Sequence, residues 1–243
     1  MSRDSSSLVR NSRYFRILFL QNVRDQVVDA RRLMAPIFFG LLTTIIWAFS
    51  IDTSSLENKL FSDICSGQLV IMIVFVMQMI FQQSMDSESQ DGVFEQLRLL
   101  PCSGYLWFAA KTLSLSLCSA FLLIPIMVCW SVAHHIEFTM LFCLSNVFAL
   151  GIGTLGLSAL GVLLAAITMS SSGRSLIYAI LFFVLSSPVV LSLVPIFSES
   201  LLIPSPQQVT VWENPWLGML CAFSTIFMAL GCVLFNELVE TDL

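Results

Sequence analysis

Ser87-Glu88-Ser89-Gln90-Asp91-Gly92-Val93-Phe94-Glu95-Gln96-Leu97-Arg98-Leu99-Leu100-Pro101 is a polar island between two long apolar runs. Val93, Phe94, Leu97 and Leu100 recur at helical spacing and make one apolar face. Glu95 and Arg98, three apart, stand on the other side, where they can pair weakly. Asp91 suits an N-cap, Gly92 relaxes the backbone at the entry, and Pro101 ends the helix because it has no N–H to continue it. The pattern predicts a short helix on a membrane surface within residues 86–101. One reading is an interface loop with a helical turn. The other is a docking helix that presents Glu88, Gln90, Asp91, Gly92, Glu95, Gln96, Leu97, Leu100 and Pro101 to a soluble partner.

The rest of the chain says what such an island is set into. Of its 243 residues 57% are hydrophobic and only 11% charged. A soluble domain carries roughly a quarter charged residues, so this composition belongs to an integral membrane protein. The formal charge of −5 carries little information about partners, because the signs are segregated along the chain. Seven cysteines lie scattered through apolar runs with no C-x-x-C pair, which argues against a disulfide framework or a zinc site.

About 20 apolar residues are needed to cross the hydrocarbon layer. By that measure six spans fall at 34–51, 64–82, 106–133, 138–168, 176–197 and 217–235. The expected fold is therefore an all-α integral membrane protein with six transmembrane helices. A basic segment, residues 1–33, precedes a six-span domain at 34–236, and a tail at 237–243 follows it. Phe15, Phe19, Val23 and Val27 repeat at four-residue steps in a segment rich in arginine. This predicts an N-terminal amphipathic interface helix, held by apolar insertion and by arginine contacts with anionic lipid.

With the N-terminus cytoplasmic, every Lys and Arg except Lys59 falls inside, and Asp52, Glu57, Asp63, Glu137, Glu199 and Glu213 fall outside. Both termini and the polar island are then cytoplasmic. Trp47, Trp130, Trp212 and Trp216 at outer span ends, and Trp107 at an inner one, read as an interfacial belt. Glycines at 151, 153, 156 and 161 interrupt the long fourth span. Gly151-x-Gly153-x-x-Gly156 looks like a dinucleotide fingerprint, but that motif needs a preceding strand. Inside a span, close helix packing explains it better.

Gln90-Asp91-Gly92-x-x-Glu95-Gln96-Leu97-x-Leu99-Leu100-Pro101, followed by Lys111, resembles the CcmB family. A second match runs from Gly153 and Gly156 through Gly161 to Arg174 and Pro188. Before Pro188 the chain reads Phe182-Phe183-Val184-Leu185-Ser186-Ser187, a departure from the family's richer Pro-Leu pattern. The resemblance implies a permease subunit of an ABC-type haem exporter in c-type cytochrome biogenesis. It further implies a separate ABC ATPase subunit that holds ATP, further membrane subunits, and a haem chaperone at the outer face. The expected location is the bacterial inner membrane, or the mitochondrial one, with membrane lipid as surroundings and no nucleic acid. Haem enters as a handled ligand, not as a firmly bound cofactor. His134 and His135, the only histidines, lie where exported haem would be met, and neutral imidazole is a competent iron ligand.

Chemistry of other kinds finds little support. There is no G-x-x-x-x-G-K-[ST] loop, no H-E-x-x-H and no nucleophile elbow, so no catalytic or metal residue is assigned. Gln68, Gln78 and Asn146 line a path or bond between helices. Two other functions share this hydropathy: a six-span ABC exporter for lipid, glycan or drug, and a non-transport membrane scaffold.

Overall fold

The computed structural model describes the backbone of residues 2–28, 30–50, 57–90, 103–168, 173–202 and 214–240. Side chains are described for 13–26, 33–50, 57–84, 103–168, 173–202 and 214–237. Among these residues every regular element is a helix: α1 (Ser2–Val28), α2 (Ala30–Ser50), α3 (Asn58–Gln90), α4 (Gly104–Ala133), α5 (Phe138–Leu141), α6 (Leu144–Thr168), α7 (Arg174–Leu185), α8 (Ser187–Leu202) and α9 (Pro215–Glu240). Five helices are long and apolar enough to cross a membrane, at Leu33–Ser50, Asn58–Ser84, Gly104–Ala133, Leu144–Thr168 and Pro215–Glu237. The pair α7 and α8, bent by 48°, makes a sixth span if counted as one.

Helix α6 is the hub, packed against α3, α4, α7, α8 and α9. Helices in lipid gain little from hydrophobic exclusion and associate through close packing, for which small residues are needed. The glycines of α6 supply that contact in three directions. A Cβ on Gly153 would meet Leu193 of α8, one on Gly156 would meet Ser224 and Phe223 of α9, and one on Gly161 would meet Phe81 of α3. These glycines do not interrupt the helix. On the fourth side, the hydroxyls of Ser116 in α4 and Thr154 in α6 lie 3.2 Å apart.

The fourth span begins later than residue 138. Phe138–Leu141 forms a separate short helix, and the long helix starts at Leu144. The break is held by Asn146, whose Nδ2 donates to the carbonyls of Met140 at 3.1 Å and Leu141 at 3.2 Å. The same nitrogen reaches Ser200 Oγ of α8 at 2.7 Å. Asn146 therefore satisfies carbonyls that the end of α5 leaves free, which is essential where water is scarce.

The fifth span is broken too. α7 ends at Leu185, with Ser186 as its C-cap and the Ser186 hydroxyl on the Phe183 carbonyl at 3.0 Å. Pro188 then enters the first turn of α8, where its missing N–H is least costly. The sequence departure before Pro188 thus coincides with the bend.

The N-terminal helix differs from the expectation in what its apolar face touches. Phe15, Phe19 and Val23 are half-buried, Leu18 joins the edge of the core, and α1 packs mainly against α4. The stripe expected to enter lipid is thus partly covered by the protein itself, where α1 packs along α4. The tryptophan belt also needs revision. Trp47 and Trp216 are exposed at span ends, but Trp107 and Trp130 are core side chains at 3% and 1% exposure. Trp212 lies outside the described residues.

Candidate functional site

The stretch expected to dock a partner straddles the edge of the described residues. Helix α3 continues past its apolar span, which ends at Ser84, through Gln90. Glu88 and Gln90 therefore lie on the backbone of the second span's own helix. Asp91, Gly92, Glu95, Gln96, Leu97 and Leu100 lie outside the described residues, as does Pro101. Helix α4 begins at Gly104, three residues after Pro101. The stretch is thus held between the end of one span and the start of the next.

What α3 is attached to decides what a push on it moves. Near its C-terminal end Gln78 donates to Gln82 at 3.1 Å, and Gln82 in turn bonds to Ser175 at the start of α7. Between these two glutamines, Phe81 fills the notch at Gly161 of α6 and meets Phe182 of α7 edge-on, with centroids 5.9 Å apart. At the other end Ser62 Oγ donates to the Ser198 carbonyl of α8 at 2.6 Å, and the Ser198 hydroxyl donates to the Asp63 carboxylate. With 33 residues at about 1.5 Å each, α3 is a rod of roughly 50 Å. It is bonded at both ends to the two halves of the bent span.

The remaining motif residues are distributed over this frame. Arg174 is the first residue of α7, directly after Gly173, whose φ of 84° lies in the left-handed region that suits glycine. Lys111 lies within α4, seven residues or roughly 10 Å past its start, and is 2% exposed. The positive-inside reading counts it with the cytoplasmic charges, but it is a buried cation within a span. Asp25 of α1 is the carboxylate that acts on it electrostatically. This influence of α1 on α4 has no sequence signature, because residues 25 and 111 are brought near each other only by the fold.

The two histidines part company. Helix α4 stops at Ala133, so His134 and His135 are not neighbours on a helix. His134 is the C-cap and is 6% exposed. Its ring stacks on Trp130 at 4.8 Å, with Nδ1 3.1 Å from the Trp130 carbonyl. Burial holds the imidazole below its ordinary pKa, opposed by the Trp130 carbonyl and assisted by the neighbouring His135. His135 is exposed, with φ at 55°. Of the two rings only His135 is presented outward. Among the described residues no cluster of His, Cys, Asp and Glu of metal-binding size occurs.

A multi-span helical bundle, a polar stretch slung between its second and third spans, and a glycine-notched central helix form a recognisable set. The sequence pattern of the family described as CcmB protein matches residues 13–240. The chain belongs to the CcmB family. No curated protein matches it. Membership in the CcmB family makes the chain a multi-pass, non-catalytic membrane component of a haem exporter for cytochrome c maturation. The CcmB match spans every helix from the middle of α1 to the end of α9, so the frame described above lies wholly within it.

Proposed function

We propose that this chain is the permease half of an ABC machine in which a separate ATPase grips the stretch from Glu88 to Pro101. ATP-driven closure of that ATPase moves the stretch, and α3 carries the motion. The observation that bears the weight is continuity: the helix that crosses the membrane as the second span runs without a break to Gln90, at the docking stretch. A helix transmits an axial push as a near-rigid element, whereas a loop absorbs it. The bonds from Gln82 to Ser175 and from Ser62 and Asp63 to Ser198 deliver the motion to α7 and α8. The bend at Ser186 between them is the natural place for it to be taken up.

At the outer face the stroke serves haem delivery or the release of a haem-loaded chaperone. Here haem is cargo. A direct contact with it falls to the exposed His135, since the His134 ring is folded against Trp130. Further membrane subunits complete the complex, both termini face the cytoplasm, and the complex sits in the bacterial inner membrane.

Haem staining of membrane proteins tests this reading. Deletion of the chain removes c-type cytochromes while b-type cytochromes persist, and a catalytically dead ATPase that still binds gives the same loss. If the dead ATPase supports maturation, the chain is a scaffold. If c-type staining is normal in the deletion strain, an exporter of lipid, glycan or drug is the better reading. Glu95→Lys and Gly92→Pro leave insertion intact but release or uncouple the ATPase. Normal co-purification and normal cytochromes in both variants would refute the docking site.

A further inference from the structure

Packing of α1 against α4 fixes which way the rest of that helix points. Tyr14, Phe15, Leu18, Phe19, Asn22, Val23 and Gln26 are half-buried on the inner face. The residues left exposed are Arg13, Arg16, Ile17, Leu20, Gln21, Arg24 and Asp25. Arg13, Ile17, Leu20 and Arg24 follow steps of four, three and four, so they form one stripe along a helix. Two apolar side chains, each 54% exposed, thus sit between guanidinium groups. None of the three arginines makes an ion pair with a described residue. Asp25, the acidic group on this side, has Lys111 of α4 within its field.

We infer that the outward face of α1 is an anionic-phospholipid site, with Arg13, Arg16 and Arg24 on headgroup phosphates and Ile17 and Leu20 among the first acyl methylenes. Half-exposed Ile and Leu flanked by arginine suit the headgroup–acyl boundary, and a span facing the hydrocarbon centre does not carry arginine at this density. The guanidinium fork matches two phosphate oxygens at once, which an ammonium does not. Inner-leaflet phospholipid supplies negative phosphate and apolar chains together, so it satisfies both halves of the stripe. Each basic side chain at such a surface adds about fivefold to lipid affinity, and three together on the order of a hundredfold, at low salt. The site does not depend on the ATPase reading, since it needs only α1 and its packing on α4.

The test uses the full chain in phosphatidylcholine vesicles holding about one phosphatidylglycerol in five, extracted in mild detergent, with retained lipids counted by mass spectrometry. The expected result is phosphatidylglycerol enriched several-fold over the vesicle composition at ~50 mM salt and falling toward it at ~500 mM. Changing Arg13, Arg16 and Arg24 together to Gln removes the enrichment, changing them to Lys keeps most of it, and both variants elute as the parent does on gel filtration. Ile17→Asn with Leu20→Asn lowers total retained lipid without changing the salt dependence. No enrichment in the parent chain, or equal enrichment in the Gln variant, overturns the inference and leaves this face for a protein subunit. Loss of enrichment on adding ~10 mM inorganic phosphate at constant ionic strength also overturns it, as the mark of a free-anion site.

Discussion

Gly161→Ala should destabilise the protein, while the same change at Gly151, ten residues earlier on the same helix, should stabilise it. At Gly161 the new Cβ would stand 2.7 Å from Phe81 Cδ2 and 3.0 Å from Phe81 Cγ. Optimal carbon contacts are about 3.5–4.0 Å, so the overlap approaches 1 Å. Phe81 is fully buried, and Cγ lies next to its backbone, so the ring cannot swing clear without α3 moving. Overpacking of this kind costs about 1–3 kcal/mol. Against it stands the gain of about 1 kcal/mol when Ala replaces Gly within a helix. The sum is a loss of up to about 2 kcal/mol for Gly161→Ala. At Gly151 nothing lies within 4 Å of the new Cβ, so only the helix gain remains.

The difference between the two variants removes the propensity term and measures the packing term alone. The assay is reversible unfolding of the purified chain in mixed micelles, followed by far-UV circular dichroism against the mole fraction of SDS. Phe81→Leu should restore part of the loss in the Gly161→Ala background, as the coupling of a contacting pair requires. If the two alanine variants differ by less than about 0.5 kcal/mol, the reasoning that α6 and α3 meet at this notch is wrong.

Further tests address other parts of the molecule. Asn146→Ala strips the Met140 and Leu141 carbonyls of their donor, at a cost of about 1–3 kcal/mol; protease should then nick the 134–143 connection faster than in the parent. His134 is held below its ordinary pKa, so the unfolded chain takes up more protons than the folded one as pH falls below about 6.5. Stability therefore falls with pH in that window, and His134→Leu should flatten the decline between pH ~7 and ~5 in a melting series. Lys111→Met replaces a buried cation by an apolar side chain of similar length and should preserve stability; a markedly lower melting temperature than the parent would refute this. Cysteine at Glu199 should label with an impermeant thiol reagent from outside intact cells, and cysteine at Ser87 should not.

Membrane class and the places of the long apolar helices are legible in this sequence because each rests on local composition. Twenty apolar residues in a row have one economical environment, and a charged island between two such runs cannot share it. The resemblance carried by Gln90–Pro101 is local in the same sense, and the family follows from it. Gly153, Gly156 and Gly161 announce close packing, yet nothing in their spacing says that the first faces α8, the second α9 and the third α3. That depends on how the helices are ordered around α6, which is a property of the assembled bundle. The same limit explains α1. Its apolar stripe is visible at Phe15, Phe19 and Val23, but a stripe that suits lipid also suits the side of α4, and hydrophobicity does not distinguish them. The breaks at 142–143 and Ser186 escaped a hydropathy count because short turns in apolar sequence do not lower the average. Tertiary bonds from Asn146 and the serine cap at Ser186 hold them. Contacts between residues far apart in the chain, such as Gln82 with Ser175 and Ser62 with Ser198, belong wholly to the tertiary structure. Side chains of different helices are brought within reach only when the bundle closes.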